Sequence, residues 1–146
     1  MTNKYMYFVA NWKMFGNLKS INTLDKVIKF SKSKEIKKGR LIYCPPYTLI
    51  TALFKKFENC LIDIGAQNCH ESDGYGSHTG FVNSRMLKNI GANYVIIGHS
   101  ENRMKGENDK LINGLYIDKE AFKTMSKLAD QVLVASNEQS RQGAGE

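Results

Sequence analysis

Short apolar segments alternate along this 146-residue chain with longer segments whose apolar residues recur every three to four positions. The short segments are rich in Val, Ile, Leu, Tyr and Phe, which predicts strands at residues 5–10, 41–44, 61–66 and 92–97, with a fifth at 131–135. The longer segments have the spacing of amphipathic helices at residues 18–28, 47–57, 83–90 and 118–129. Strands that alternate with helices pair in parallel through right-handed crossovers. The pattern therefore predicts an α/β fold of about four to five parallel strands with flanking helices.

The remaining segments predict a loop, a partial helix and the limits of the domain. Residues 67–80 are rich in Gly, Ser, Asp and His and predict a long loop, whereas the charged segment 101–112 predicts a partial helix. We expect one domain over residues 1–135 and a disordered tail over 136–146, whose composition is polar. The sequence leaves open whether the sheet is open or belongs to a closed barrel.

A histidine stands directly after the fourth predicted strand. Gly98 ends the apolar run of that strand, and the next residue, His99, is followed by Ser100 and Glu101, which favour the start of a helix. The carboxyl ends of strands are where α/β folds place their chemistry, and a helix dipole there favours a neutral imidazole that donates a hydrogen bond to a substrate oxygen. The alternative is a hydrogen-bonded strand-end residue without a chemical role.

Composition argues against several classes of protein. Hydrophobic residues make up 42% of the chain, yet no apolar run approaches the ~18 residues of a membrane span, and residues 1–11 lack the apolar stretch of a secretory signal. We therefore expect a cytoplasmic globular protein with no membrane partner. Cys44, Cys60 and Cys69 are too widely spaced for a zinc site and odd in number, so small reduced core residues are expected.

The net charge of +7 raises the question of a nucleic-acid or anionic partner. Many of the lysines lie in residues 29–38, at the end of one predicted helix and in the loop that follows it. No aromatic interleaving accompanies these lysines, so a solvated surface is favoured and no nucleic-acid partner is expected.

Four segments, taken in order, resemble the N-terminal part of the triosephosphate isomerase family. They are VANWKM at residues 9–14, AQN at 66–68, TG at 79–80 with ML at 86–87, and IGHSE at 97–101. The resemblance extends over about residues 4–112. It implies a partial, truncated β/α barrel of the TIM type and a small phosphorylated triose as substrate.

The resemblance also assigns roles to individual residues. By resemblance, the ammonium of Lys13 contacts the phosphate and stabilises the enediolate, and Asn11 holds this lysine and contacts substrate. His99 resembles the electrophile that polarises the substrate carbonyl, and Glu101 matches a carboxylate that supports the lysine. Thr79 matches a loop-tip threonine that inserts into a neighbouring subunit. Without the resemblance, Asn11 is explained as a turn residue, Lys13 as an exposed lysine and Glu101 as a residue in the first turn of a helix.

The chain also departs from the family pattern. A complete β/α barrel typically has ~250 residues, and no segment here resembles the family's lid with its general base or its glycine-rich phosphate-binding turns. We expect a homologue that interconverts dihydroxyacetone phosphate and D-glyceraldehyde 3-phosphate, truncated and weakly active or inactive alone. Neither metal nor cofactor is implied, because the chemistry is proton transfer. The alternative is a non-catalytic half-barrel module that self-associates through open sheet edges.

Overall fold

The computed structural model describes residues 6–33, 39–72 and 74–106. Its described residues divide into two units, one that ends at Ile97 and one that begins at Gly98. The first unit contains a four-stranded parallel sheet in the order β1-β2-β3-β4, built from β1 (Met6–Asn11), β2 (Gly39–Cys44), β3 (Ile62–Ala66) and β4 (Tyr94–Val95). The predicted parallel pairing is confirmed, although β4 is shorter than residues 92–97. The predicted fifth strand and the predicted boundary at residue 135 lie outside the described residues.

Each of the first two crossovers begins with a 3-10 helix and continues as an α-helix. Leu18–Leu24 precedes α1 (Asp25–Ser31), and Tyr47–Leu49 precedes α2 (Ile50–Lys56); the later helices are α3 (Ser84–Asn89) and α4 (Ser100–Arg103), of which α4 belongs to the second unit. The stretch predicted as one helix at 18–28 is thus divided. Its first apolar residues, Leu18, Ile21 and Leu24, are spaced by three, which suits the three residues per turn of a 3-10 helix.

The core of the first unit lies between the sheet and its crossover helices. Ile50 and Leu53 of α2 have no exposed surface, and α2 packs against β3, whose Ile64 is 2% exposed. Burying a side chain of this size stabilises the fold by roughly 1.5–3 kcal/mol. Two members of the predicted apolar stripes behave differently, because Leu18 is 68% and Phe54 52% exposed.

Two glycines permit close packing around this core. Gly65 in β3 faces Cys44 of β2, and a Cβ at this position would lie 2.5 Å from the Cys44 Sγ atom. Gly91 follows α3 with φ of +104°, a left-handed conformation that ends the helix. A Cβ on Gly91 would also collide with the Phe54 ring. Both sites therefore require glycine for steric reasons.

The cysteines are free thiols. Cys44 and Cys69 are buried and Cys60 is partly buried. Burial raises the pKa of Cys44 to about 12 and also raises the pKa of Cys69, because a thiolate is poorly solvated there. Both thiols therefore stay protonated and unreactive near neutral pH, as expected of small core residues.

Within the described part of the chain, every helix is too short or too polar to cross a membrane.

Candidate active site

Lys13 lies just beyond the carboxyl end of β1 in a left-handed backbone conformation. Its φ is +52°, which is unusual for a residue with a Cβ and costs on the order of 1–3 kcal/mol. The Asn11 side chain supports this conformation locally, because its Oδ1 accepts a hydrogen bond from the Lys13 N–H at 2.9 Å. We call residues 11–13 the lysine turn. Asn11 and Lys13 are therefore brought together, with the asparagine shaping the backbone that carries the lysine.

A second side chain, from the residue that follows β3, reaches the lysine turn. The Gln67 Nε2 donates to the carbonyl oxygens of Lys13 and Cys44, each at 2.8 Å. The Cys44 oxygen also accepts from the Trp12 N–H at 3.0 Å. These contacts join the carboxyl ends of the first three strands. The Lys13 side chain is half-buried at this edge, where a cation can bind an anionic ligand.

Sequence reasoning assigned no role to Gln67, although it noted the AQN segment. The available signal was its position directly after the predicted third strand, because the carboxyl ends of parallel strands share one edge of the sheet. A long side chain there can reach the ends of neighbouring strands. The partner atoms are backbone carbonyls, however, and these leave no mark in the sequence.

His99 belongs to the second unit, where it precedes α4 as the N-terminal capping residue. Its Nδ1 accepts a hydrogen bond from the Glu101 N–H at 3.3 Å. An acceptor at Nδ1 requires a lone pair there, so the proton of the neutral ring lies on Nε2. The residue is 8% exposed, and its Nε2 is buried without a hydrogen-bond partner among the residues that the structure describes. His99 thus presents a buried donor.

Glu101 lies beside the same ring, with its Oε2 3.5 Å from the His99 Nδ1. This contact would be an ion pair only if Nδ1 carried a proton, whereas the backbone hydrogen bond requires that it does not. The Glu101 side chain is 60% exposed, so water screens its charge and the contact with the ring is weak. The expected contact of Glu101 with the lysine stays a prediction.

Thr79 lies in the loop predicted at residues 67–80. The base of this loop is closed where the His70 N–H donates to the Val82 oxygen at 2.8 Å and Asn83 Nδ2 donates to the Gly74 oxygen at 2.9 Å. Thr79 itself is exposed, and its role at a subunit interface stays a prediction.

Among the described residues, the titratable side chains do not converge in the manner of a metal site. Across residues 6–33, 39–72 and 74–106, no group of three or more His, Cys, Asp or Glu side chains could hold a metal ion. The chemistry that the described residues can perform is anion binding by Lys13 and hydrogen-bond donation by His99.

Comparison with known proteins adds an independent finding. The family model described as triosephosphate isomerase matches residues 6–139. The triosephosphate isomerase of Idiomarina loihiensis is 39% identical over 106 residues, covering 72% of this chain and 41% of that protein. The one from Wolbachia pipientis wMel is 46% identical over 94 residues, covering 64% and 36%.

Comparison with solved structures identifies the same family. A crystal structure of triosephosphate isomerase from Bartonella henselae is 37% identical with a TM-score of 0.61, and covers 68% of this chain and 40% of that one. The chain thus spans about two fifths of the length of these relatives. The match to a β/α-barrel enzyme confirms the predicted partial barrel: four parallel strands with flanking helices form a curled half-barrel.

Proposed function

The chain belongs to the triosephosphate isomerase family, and from this premise we propose that it binds a small phosphorylated triose at the carboxyl ends of its strands. The reaction proposed for the assembled site is the interconversion of dihydroxyacetone phosphate and D-glyceraldehyde 3-phosphate. This chemistry serves glycolysis and gluconeogenesis, and we propose a cytoplasmic location for it. Proton transfer between neighbouring carbons needs neither a metal nor an organic cofactor.

Lys13 is the proposed anion-binding residue. Its ammonium carries a full positive charge, which attracts the substrate phosphate and stabilises negative charge that develops on the substrate oxygens. Asn11 is proposed to position this lysine and to contact substrate. The support is the hydrogen bond from the Lys13 N–H to Asn11 Oδ1, which ties the two residues together in one turn.

His99 is the proposed electrophile, and the observation that carries the proposal is its buried, unpartnered Nε2. Removal of a carbon-bound proton from a triose phosphate turns the neighbouring carbonyl oxygen into an enediolate oxygen. A hydrogen bond from Nε2–H to that oxygen stabilises the charge as it forms, and the same ring can carry a proton between the two oxygens. The Glu101 N–H favours this tautomer by occupying Nδ1. Support of the lysine by Glu101 is proposed as well.

The chain by itself is proposed to be a weak or inactive isomerase. None of the residues assigned above is a base for the carbon-bound proton, and the absence of a general base typically costs on the order of 100- to 10,000-fold in rate. Ligand binding through Lys13 does not depend on that base. Binding and turnover are therefore separate measurements of the proposal.

We also propose that copies of the chain associate. The first residues of β1 carry large apolar side chains that are well exposed: Met6 at 62%, Tyr7 at 55% and Phe8 at 47%. Within the described residues β1 pairs only with β2, and an apolar strand edge favours pairing with another chain. Thr79, at its exposed loop, is proposed to contribute to an interface between subunits. A non-catalytic self-associating module remains the second candidate on these observations.

The test combines binding, turnover and mass on one purified sample of the 146-residue chain. Titration with phosphoglycolate, a phosphorylated carboxylate that resembles the enediolate, should show binding that Lys13→Met weakens about tenfold or more. Lys26→Met, which removes an exposed charge from α1, should leave the affinity unchanged. No binding by the wild-type chain would overturn the proposed function and favour the assembly module.

Turnover in a coupled isomerase assay tests the proposed weakness. We expect a rate near that of the buffer, and a mass in solution above that of one chain. A rate well above buffer that disappears in His99→Gln would support the role of His99 but contradict the proposed inactivity, and would make Glu101 a candidate base. A monomeric mass would contradict the proposed association.

A further inference from the structure

We propose that Gln67 is a positioning residue for Lys13, and that its side-chain amide holds Lys13 in its left-handed backbone conformation. The consequence for a ligand rests on the proposed function, because it exists only if Lys13 binds that ligand. Gln67 directly follows β3, and 54 residues separate it from Lys13 along the chain. The contact therefore exists only once the sheet has formed.

The geometry uses the full donor capacity of the amide. A side-chain NH2 group has two hydrogens, and the Gln67 Nε2 has two carbonyl acceptors at 2.8 Å, those of Lys13 and Cys44. The Cys44 carbonyl is in turn fixed by the Trp12 N–H. One side chain thus ties Lys13, two residues beyond β1, to the end of β2.

Few other side chains can make this connection. Glutamate has the same length, but its carboxylate has no hydrogen to donate and would face two carbonyl oxygens. Methionine reproduces the shape without any donor, and asparagine is one methylene shorter. Glutamine at residue 67 is therefore explained by its two donors rather than by its volume.

The two hydrogen bonds from Gln67, which we call the clamp, matter because Lys13 does not favour its own backbone conformation. A residue with a Cβ is disfavoured at positive φ, so the turn is expected to relax when the contact to its carbonyl is removed. Rotation about φ redirects the whole lysine side chain. A binding group displaced by ~1 Å can lose roughly 100-fold in effectiveness, so Gln67 acts on a ligand through the position of Lys13.

The first experiment observes the backbone of Lys13 by NMR in the isotope-labelled full chain. In Gln67→Met, the Cα and carbonyl carbon shifts of Lys13 should move from values typical of positive φ toward extended values. The matched control is Asn22→Leu, which also replaces an amide by an apolar group but at an exposed position. Unchanged Lys13 shifts in Gln67→Met would overturn the proposal.

A second measurement uses only the wild-type chain and so does not depend on whether a variant folds. The two Nε2 protons of Gln67 should exchange with water more slowly than the side-chain amide protons of exposed Asn22. They should also show scalar couplings across the hydrogen bonds to the Lys13 and Cys44 carbonyl carbons. Rapid exchange together with absent couplings would overturn the clamp.

The third experiment asks whether the clamp acts through Lys13. Phosphoglycolate affinity is measured for the wild type, Gln67→Met, Lys13→Met and the double variant. Gln67→Met should weaken binding about tenfold or more in the wild type but less than about twofold in the Lys13→Met background. Equal losses in both backgrounds would overturn a positioning role. If the wild type does not bind phosphoglycolate, the proposed function fails, and the two NMR measurements still decide the clamp.

Discussion

The lysine turn and the histidine cap, residues 99–101, are held by different kinds of contact. Both use a hydrogen bond that spans two residues: the Lys13 N–H donates to Asn11 Oδ1, and the Glu101 N–H donates to His99 Nδ1. The lysine turn adds the hydrogen bond from Gln67, 54 residues away. The cap of His99 is thus formed by its immediate neighbours, whereas the lysine turn also depends on the assembled sheet.

The two regions also differ in backbone strain. Lys13 has a φ of +52°, in the left-handed region, while His99 has φ of −54° and ψ of 143°, which any residue adopts easily. The residue with the strained backbone is the one that receives the distant support. We therefore expect the position of Lys13 to respond to changes in the sheet, and that of His99 to respond to changes in residues 99–101.

The largest expected effect comes from the core beneath the sheet. Leu53→Ala should lower the free energy of unfolding by about 2–5 kcal/mol, because it opens a cavity where α2 packs on β3. Urea unfolding followed by circular dichroism measures the loss, and the Lys13 amide signal should disappear at the same urea concentration as the sheet. Thr51→Ala, at an exposed position on α2, should change stability by less than about 0.5 kcal/mol. A Lys13 amide signal that persists at urea concentrations where the sheet is unfolded would contradict the dependence of the lysine turn on the sheet.

Alkaline pH should weaken the sheet at the strand end that Gln67 contacts. The pKa of Cys44 rises from 9.0 to about 12 on folding, so the folded chain keeps a proton that the unfolded chain releases. The stability from this group is complete below pH 9 and is lost as the pH rises toward about 12. The loss is at most about 1.4 kcal/mol per pH unit.

Unfolding free energies measured below and above pH 9 test this expectation. Cys44→Ala should have a shallower pH dependence than the wild type, although it is less stable overall. Burial also raises the pKa of Tyr43, which contributes with the same sign in both proteins. Equal slopes for the two proteins would refute the role of the thiol.

Replacing Lys13 itself by glycine should change stability less, and in the opposite direction. Lys13→Gly should raise the free energy of unfolding by about 0.5–1 kcal/mol, because glycine adopts positive φ without a steric cost. The same substitution in a helix, Lys26→Gly in α1, should instead lower it by about 1 kcal/mol. Chemical denaturation of the two variants gives the comparison directly. If both glycines destabilise equally, Lys13 is not strained.

The smallest expected effect is at the histidine cap. His99→Asn replaces the Nδ1 acceptor by an amide oxygen that can accept the Glu101 N–H, so it should be about 0.5 kcal/mol more stable than His99→Ala. Neither variant has the Nε2 donor, so both should bind phosphoglycolate less tightly than the wild type. Thermal or urea unfolding distinguishes the two variants. Equal stabilities would mean that the local hydrogen bond does not support this region.

Much of the fold could be predicted because it follows from periodicity. The first three strands and the helix at 83–90 were predicted within a few residues, since their apolar spacing alone determines which face is buried. The division of residues 18–28 into two helix types was not predicted. The exposure of Phe54 was also missed, because an apolar residue on a helix stripe does not reveal whether a partner lies opposite it.

The candidate site also has features that could be predicted from the sequence and one that could not. The sequence placed Lys13 and His99 after strands, and the local hydrogen bonds of Asn11 and Glu101 lie within two residues of their partners. Gln67 escaped sequence reasoning because its partners are main-chain carbonyls on other strands. Backbone atoms are the same in every residue, so no pattern of side chains points to them.

The sequence by itself determined the alternation of strands and helices, the glycine stop at Gly91 and the cap that sets the tautomer of His99. Each of these depends on neighbours within about one helical turn. Only the tertiary structure decided that Gln67 meets Lys13, because parallel pairing brings the carboxyl ends of separate strands to one edge. The direction of the lysine therefore depends on the assembled sheet, and that of the histidine on its own short segment.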